Sequence, residues 1–228
     1  QVCSKQDYSR NSAKSSALPD LRKDPSGTPS KKAFLRTVMP YITSQNAAIT
    51  AERNWLISKQ YQGQWSPAER ARLKDIAKRY KVKWSGNTRK IPWNTLLERV
   101  DIIPTSMVAT MAAAESGWGT SKLARNNNNL FGMKCMKGRC TNAPGKVKGY
   151  SQFSSVKESV SAYVTNLNTH PAYSSFRKSR AQLRKADQEV TATAMIHKLK
   201  GYSTKEKSYN NYLFAMYQDN QRLIAAHM

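Results

Sequence analysis

The sequence predicts an all-α protein, mainly helical with one non-helical lobe. Three observations predict it. Apolar residues recur at helical spacing in several separate segments. Three Ser-x-x-Glu capping boxes, Ser66/Glu69, Ser155/Glu158 and Ser203/Glu206, stand in front of such segments. Almost nothing alternates with the period of a strand.

Residues 1–30 are rich in Ser, Lys, Pro and Asp and lack an apolar period, the composition of a disordered arm. Helical spacing begins near Lys31, where Phe34, Val38, Ile42, Ile49, Leu56 and Tyr61 recur among polar residues; Pro40 is expected to start or kink that helix. Ser66 caps the next one, with Pro67 at its first position. Leu73, Ile76, Ala77 and Tyr80 form its apolar face, and it fades by Lys83. A short helix is expected from Trp93 to Arg99. Pro104 then opens a long apolar helix, PTSMVATMAAAESG, which stops at Gly117, a C′ glycine. From Asn126 to Gln152, consecutive asparagines, repeated glycines and Pro144 leave no helical period, so this is loop, with a small hairpin around Cys135 and Cys140. Val160, Tyr163, Val164 and Leu167 continue the helix capped at Ser155, and Pro171 breaks it. Residues 172–185 and 188–198 read as two short helices, and the segment capped at Ser203 carries Tyr209, Tyr212, Leu213, Met216 and Tyr217.

The 228 residues suffice for one domain of ordinary size and an extension. Against 14 acidic residues stand 38 Lys and Arg, a net charge of +24, which implies a polyanionic partner: nucleic acid, an anionic membrane or an anionic wall polymer. The basic residues are spread along the whole chain, without zinc-finger spacing, a basic zipper or a sheet of stacked aromatics, so no specific nucleic-acid role is expected. No apolar run reaches the roughly 18 residues of a membrane span. There is no apolar h-region near residue 1, so an exported form is expected to have lost its signal peptide already.

Cys135 and Cys140 close the short loop CMKGRC, where a disulfide is sterically reasonable and points to an oxidising compartment. Cys3 is left over in the polar arm. His170, His197 and His227 share no ligand spacing, so neither a metal site nor a cofactor is expected.

One carboxylate stands apart. Glu115 ends the apolar run and shares the stripe of Met107 and Met111 at i, i+4 and i+8, which places it on or beside a buried face. It also lies in the last helical turn, where the helix field disfavours an anion. Both effects favour the protonated acid, the form that glycoside cleavage needs to protonate the leaving oxygen. The alternative is a carboxylate that accepts bonds from nearby amides or pairs with a Lys. Trp118, between Gly117 and Gly119, is either a plate for a sugar ring or a core tryptophan. The asparagines from Asn126 either offer amides to hydroxyl and acetamido groups or form plain loop.

The stretch IPTSMVATMAAAESGWGTSKLARNNNNLFGMKC resembles the core of the bacterial glucosaminidase domain, glycoside hydrolase family 73. That domain also occurs in the flagellar rod-associated peptidoglycan hydrolase and in Gram-positive autolysins. ESGWG followed at this spacing by NNLFG is its specific signature, and the resemblance runs from Ile91 to Asn220. It implies a lysozyme-like helical fold in residues 91–228, behind a helical extension at 31–90 and the arm at 1–30. The implied activity is that of an endo-β-N-acetylglucosaminidase, which cuts peptidoglycan strands after N-acetylglucosamine. The family acid falls on Glu115. The family loop falls on Asn128, Asn129, Leu130, Phe131 and Gly132, and its tyrosines on Tyr202 and Tyr209. Trp118 and the loop from Asn128 to Phe131 are then the expected sugar contacts, peptidoglycan strands the expected partner and the periplasm the expected location. The oligomeric state is not legible.

One departure bears on mechanism. Many family members carry a second glutamate in the lobe after the NNLFG loop, but this chain has no Asp or Glu from Ser116 to Lys157. Glu158 is the next acid, and its capping box already explains it. Either the 2-acetamido group of the substrate attacks the anomeric carbon, with Glu115 as acid and a tyrosine stabilising the charge, or water attacks with little basic help. Muramidase, lytic transglycosylase and non-catalytic glycan binding are the competing readings.

Overall fold

A computed structural model describes residues 18–23, 27–135, 140, 143–200 and 204–228. The described residues form helices α1 (Thr28–Lys59), α2 (Pro67–Arg79), α3 (Trp93–Arg99), α4 (Thr105–Ser116), α5 (Lys122–Asn127), α6 (Val156–Thr169), α7 (Ser174–Lys185), α8 (Ala192–Met195) and α9 (Thr204–Ala225), with short 3-10 turns at Leu21–Lys23, Pro171–Tyr173 and Ile196–Lys198. The only pairing of strand type among them is an isolated antiparallel bridge, Lys134 to Tyr150. The fold is all-α, consistent with a lysozyme-like glucosaminidase domain.

Local chemistry sets the starts of α2 and α6. Ser66 accepts the Glu69 amide at 3.1 Å while the Glu69 carboxylate accepts the Ser66 amide at 3.0 Å, the full capping box of α2. At α6 the reciprocal bond shifts by one residue. Ser155 accepts the Glu158 amide at 3.1 Å, but the Glu158 carboxylate takes the amide of Ser154 at 2.8 Å, as well as its hydroxyl.

Two expectations are corrected. Pro40 does not start that helix; it lies inside α1, where of the two expectations only a kink can apply. A mid-helix proline removes one backbone bond, to the carbonyl four residues earlier. Both Arg36 and Pro40 are exposed, so water can take that carbonyl. The arm also departs from expectation in its described part: Leu21 is buried and α1 already begins at Thr28. Cys3 and most of the arm lie outside the described residues.

The structure divides into two compact units. One comprises Gln1–Thr43, Val108–Tyr163 and Met216–Met228, the other Ser44–Met107 and Val164–Ala215. The second unit has a core of Leu56, Leu73, Ile76, Ala77, Tyr80, Val82, Leu96 and Val100, flanked by half-buried Trp55, Trp65, Trp84 and Trp93. It also holds a buried ionic centre. Asp101 is 1% exposed and binds Arg184 through both carboxylate oxygens at 2.8 and 2.9 Å. Arg53 lies at 3.5 Å and Arg180 at 4.0 Å from the same carboxylate. The arginines also cap the end of α3 and the turn after it. Arg180 donates to the carbonyls of Glu98, Asp101 and Ile102, and Arg53 to those of Leu97 and Val100. These are carbonyls that a helix end leaves without intrahelical partners, and cations suit them. Asp101 is the anion on which the three arginines converge.

Candidate active site

The site is built in the first unit, at the end of α4. Ser116 closes that helix: its hydroxyl donates to the Ala112 carbonyl at 2.6 Å and accepts the Gly119 amide at 2.8 Å. The Trp118 amide donates to Ala113 at 3.0 Å. Gly117, Trp118 and Gly119 then have φ of 56°, 55° and 81°, three left-handed residues in succession. The two glycines adopt this freely, whereas the tryptophan pays roughly 1–2 kcal/mol. Its ring recovers part of that cost by meeting Phe34 edge-on at 5.6 Å, with the Lys31 ammonium 5.0 Å from its centre. Gly119 is required for a second reason: a Cβ there would stand 2.6 Å from Leu21 Cδ1 and 3.1 Å from Phe34 Cδ2. The extension ahead of the expected domain thus packs directly on the ESGWG turn.

The run of asparagines holds the lobe together. Asn127 and Asn129 are buried. The Asn127 amide exchanges bonds with the backbone of Val147, at 2.9 and 3.1 Å. Asn129 donates to Met133 and Ser151 at 2.8 and 3.0 Å and accepts the amides of Phe131 and Met133. Asn128 takes the left-handed cap of α5, with φ of 51°, and donates to the Phe153 carbonyl at 3.0 Å. Leu130 is buried, and Phe131 stacks on Tyr163 at 4.3 Å. These amides bond inward, to the backbone of the lobe itself. A sulfur bridge joins Cys135 to Cys140, and Cys135 donates its amide to Gly149 at 3.1 Å, beside the Lys134–Tyr150 bridge.

Glu115 is exposed, which corrects the burial expected from its stripe. Met107 and Met111 are buried, and so are Ala113 and Ser116 in the last turn, but the side of that turn that carries Glu115 is left uncovered. It reaches over the loop. A Cβ placed on Gly132, whose φ is 65°, would stand 3.1 Å from Glu115 Oε2. The structure thus brings Glu115 against the last residue of the NNLFG motif. Trp118 and the residues from Asn128 to Phe131 lie in the same unit. Tyr209 belongs to the other unit, half-buried, with Lys200 Nζ 5.1 Å from its ring centre. Tyr202 lies outside the described residues. Sequence reasoning missed Gly132 as a positioning residue. Its signal was a glycine directly after NNLF, where a side chain would crowd the Glu115 carboxylate.

Gly132→Ala tests that approach. It forces a left-handed alanine, at roughly 1–2 kcal/mol, and pushes the carboxylate aside. Turnover per folded molecule should fall by about 10–100-fold, the scale of a misplaced catalytic group. Initial rates normalised to the folded fraction from circular dichroism check this. Wild-type turnover in a folded variant would show that the glycine does not position Glu115.

An all-α chain with a helix-end glutamate against an Asn-Leu-Phe-Gly loop defines a class, and the family comparison agrees. Residues 92–222 match the glucosaminidase family, described as mannosyl-glycoprotein endo-beta-N-acetylglucosaminidase, and the chain belongs to that family of glycoside hydrolases. Protein bax of Escherichia coli (strain K12) is 97% identical over 228 residues, which is 100% of this chain and 83% of that protein. No solved structure matches the chain.

Proposed function

We propose that this chain hydrolyses peptidoglycan as an endo-β-N-acetylglucosaminidase, cutting the strand after N-acetylglucosamine, with Glu115 as general acid and residues 91–228 as the catalytic domain. The observation that carries the reading is the Glu115 carboxylate, exposed and set against Gly132 of the family loop. Glu115 gives its proton to the glycosidic oxygen as the bond to the anomeric carbon breaks. No acid lies between Ser116 and Lys157, so the nucleophile assigned here is the carbonyl oxygen of the substrate's own 2-acetamido group. It forms a cyclic oxazolinium intermediate, which water opens, returning a proton to Glu115. One of the family's two tyrosines, Tyr202 or Tyr209, is assigned by the resemblance to stabilising the positive charge that develops at the sugar ring. Trp118 and the loop from Asn128 to Phe131 shape the sugar site, the loop residues chiefly by holding its backbone.

The net charge of +24 and the Cys135–Cys140 disulfide support action in the periplasm, against a wall whose peptide stems carry carboxylates. The test is mass spectrometry of soluble products from purified sacculi, wild type beside Glu115→Gln. N-acetylglucosamine at the new reducing ends is expected. Muramic or anhydromuramic ends would assign a muramidase or a lytic transglycosylase instead, and binding without release would assign a glycan-binding module.

A further inference from the structure

We propose that the second unit carries a separate binding site for a carboxylate-bearing saccharide, in a cleft of about 460 Å³ between α2 and the turn at residues 84–86. The cleft lies outside the family match at 92–222. It rests on the peptidoglycan reading only for the natural polymer that would supply such a sugar.

Pro67, Arg70, Ala71 and Lys74 follow one another at helical spacing and form an exposed stripe of α2. The buried stripe of the same helix is Leu73, Ile76 and Ala77, so the cleft stands on a helix anchored from behind. Trp84 and Ser85 make the facing wall. Trp84 packs against the core of the unit, and its indole N–H donates to the Asn87 carbonyl at 3.0 Å, which holds the ring in place. Arg70 Nη2 donates to the Gly86 carbonyl at 3.2 Å, tethering the guanidinium at the mouth with its other donors still to offer. No carboxylate lines the cleft. The nearest acids along α2 are paired elsewhere, Glu69 with Lys59 and Asp75 with Arg79.

A ring-shaped apolar plate, two cations and a hydroxyl around a cavity of ligand size specify the guest. The CH face of a sugar packs on indole, and a carboxylate accepts from guanidinium and ammonium. N-acetylmuramic acid has both features wherever its lactyl carboxylate carries no stem peptide, whereas N-acetylglucosamine lacks the anion. Single-stranded nucleic acid is disfavoured, because its sites stack successive bases on several aromatics along a basic groove, and Trp84 is the only aromatic lining this cleft.

The experiment uses the full chain carrying Glu115→Gln, titrated with N-acetylmuramic acid and followed through the Trp84 indole N–H and the Ser85 amide by NMR. Saturable shifts are expected at those groups. Binding should be roughly tenfold or more weaker for N-acetylglucosamine, and for a Arg70→Gln/Lys74→Gln variant, as for a lost charge-assisted pair. Both substituted side chains are exposed, so an otherwise unchanged spectrum shows that the fold survives. Absence of saturable shifts, equal affinity for the two sugars, or full affinity in the double variant overturns the site; tighter binding of an oligothymidine at the same groups reassigns it to nucleic acid. Muropeptide release by the otherwise wild-type chain is a separate readout. Its absence would defeat the catalytic reading and leave this binding result standing.

Discussion

Glu115→Gln should keep the fold and lower muropeptide release by roughly 10²–10⁴-fold, the usual contribution of a general acid. The amide preserves the size of the side chain and removes the proton. Glu115 is exposed at the end of α4, so the substitution disturbs no core packing. The companion variant is Glu158→Gln. The Glu158 carboxylate is held by the Ser154 amide and hydroxyl, and its own amide by Ser155, so it acts at the start of α6. Its loss should cost about 1 kcal/mol, the value of a helix cap, with turnover per folded molecule kept. Release rates of the two variants, each with native circular dichroism, decide the matter. A folded Glu158→Gln protein without activity would show that a second carboxylate takes part and that the single-acid mechanism is wrong.

Asp101→Asn should destabilise the protein by about 3–5 kcal/mol, the cost of breaking a buried ion pair from one side. The amide leaves Arg180, fully buried, and half-buried Arg53 without their anion. Denaturant midpoints at unchanged slope measure the loss. A shift below about 1 kcal/mol, the value of an exposed pair, would show that the centre contributes little. The same carboxylate makes stability pH-dependent. Burial pushes Asp101 up, but the hydrogen bonds from Arg184 and the charges of Arg180, Arg53 and Arg184 outweigh it and hold the carboxyl below its ordinary range. An acid lowered in the folded state stabilises above its unfolded value, near about 3.9, and that stability is lost as pH falls through the folded value. Wild-type stability should therefore drop below about pH 4, and Asp101→Asn should show a shallower acid limb. Arg180, lowered by burial to about 10 against the pull of Asp101, remains charged at neutral pH and throughout this window.

Local chemistry was legible in the sequence. The Ser66 capping box with Pro67, the bounds of the Trp93–Arg99 helix and the stop of the apolar helix at the Gly117 turn all stand in the structure. Each depends on residues within a turn or two of one another, so spacing alone carries the information. The cysteine pair was legible for the same reason, its members five residues apart. The candidate acid was legible because a lone carboxylate closes an apolar run.

Tertiary structure alone decided the rest. Helical spacing places Glu115 on the stripe of Met107 and Met111, yet burial depends on which side of the last turn another segment covers: Ala112, Ala113 and Ser116 are buried there, while Glu115 is exposed. The asparagine amides bond to partners up to 25 residues away, so their inward use had no local signature. Arg184 stands 83 residues from Asp101, and nothing in the chain around either one marks the pair. Leu21, Phe34 and Lys31 meet the ESGWG turn from outside the recognisable domain. Periodicity and capping are properties of a chain segment, whereas burial and ion pairing are properties of what another segment brings to it, and only the folded chain holds that information.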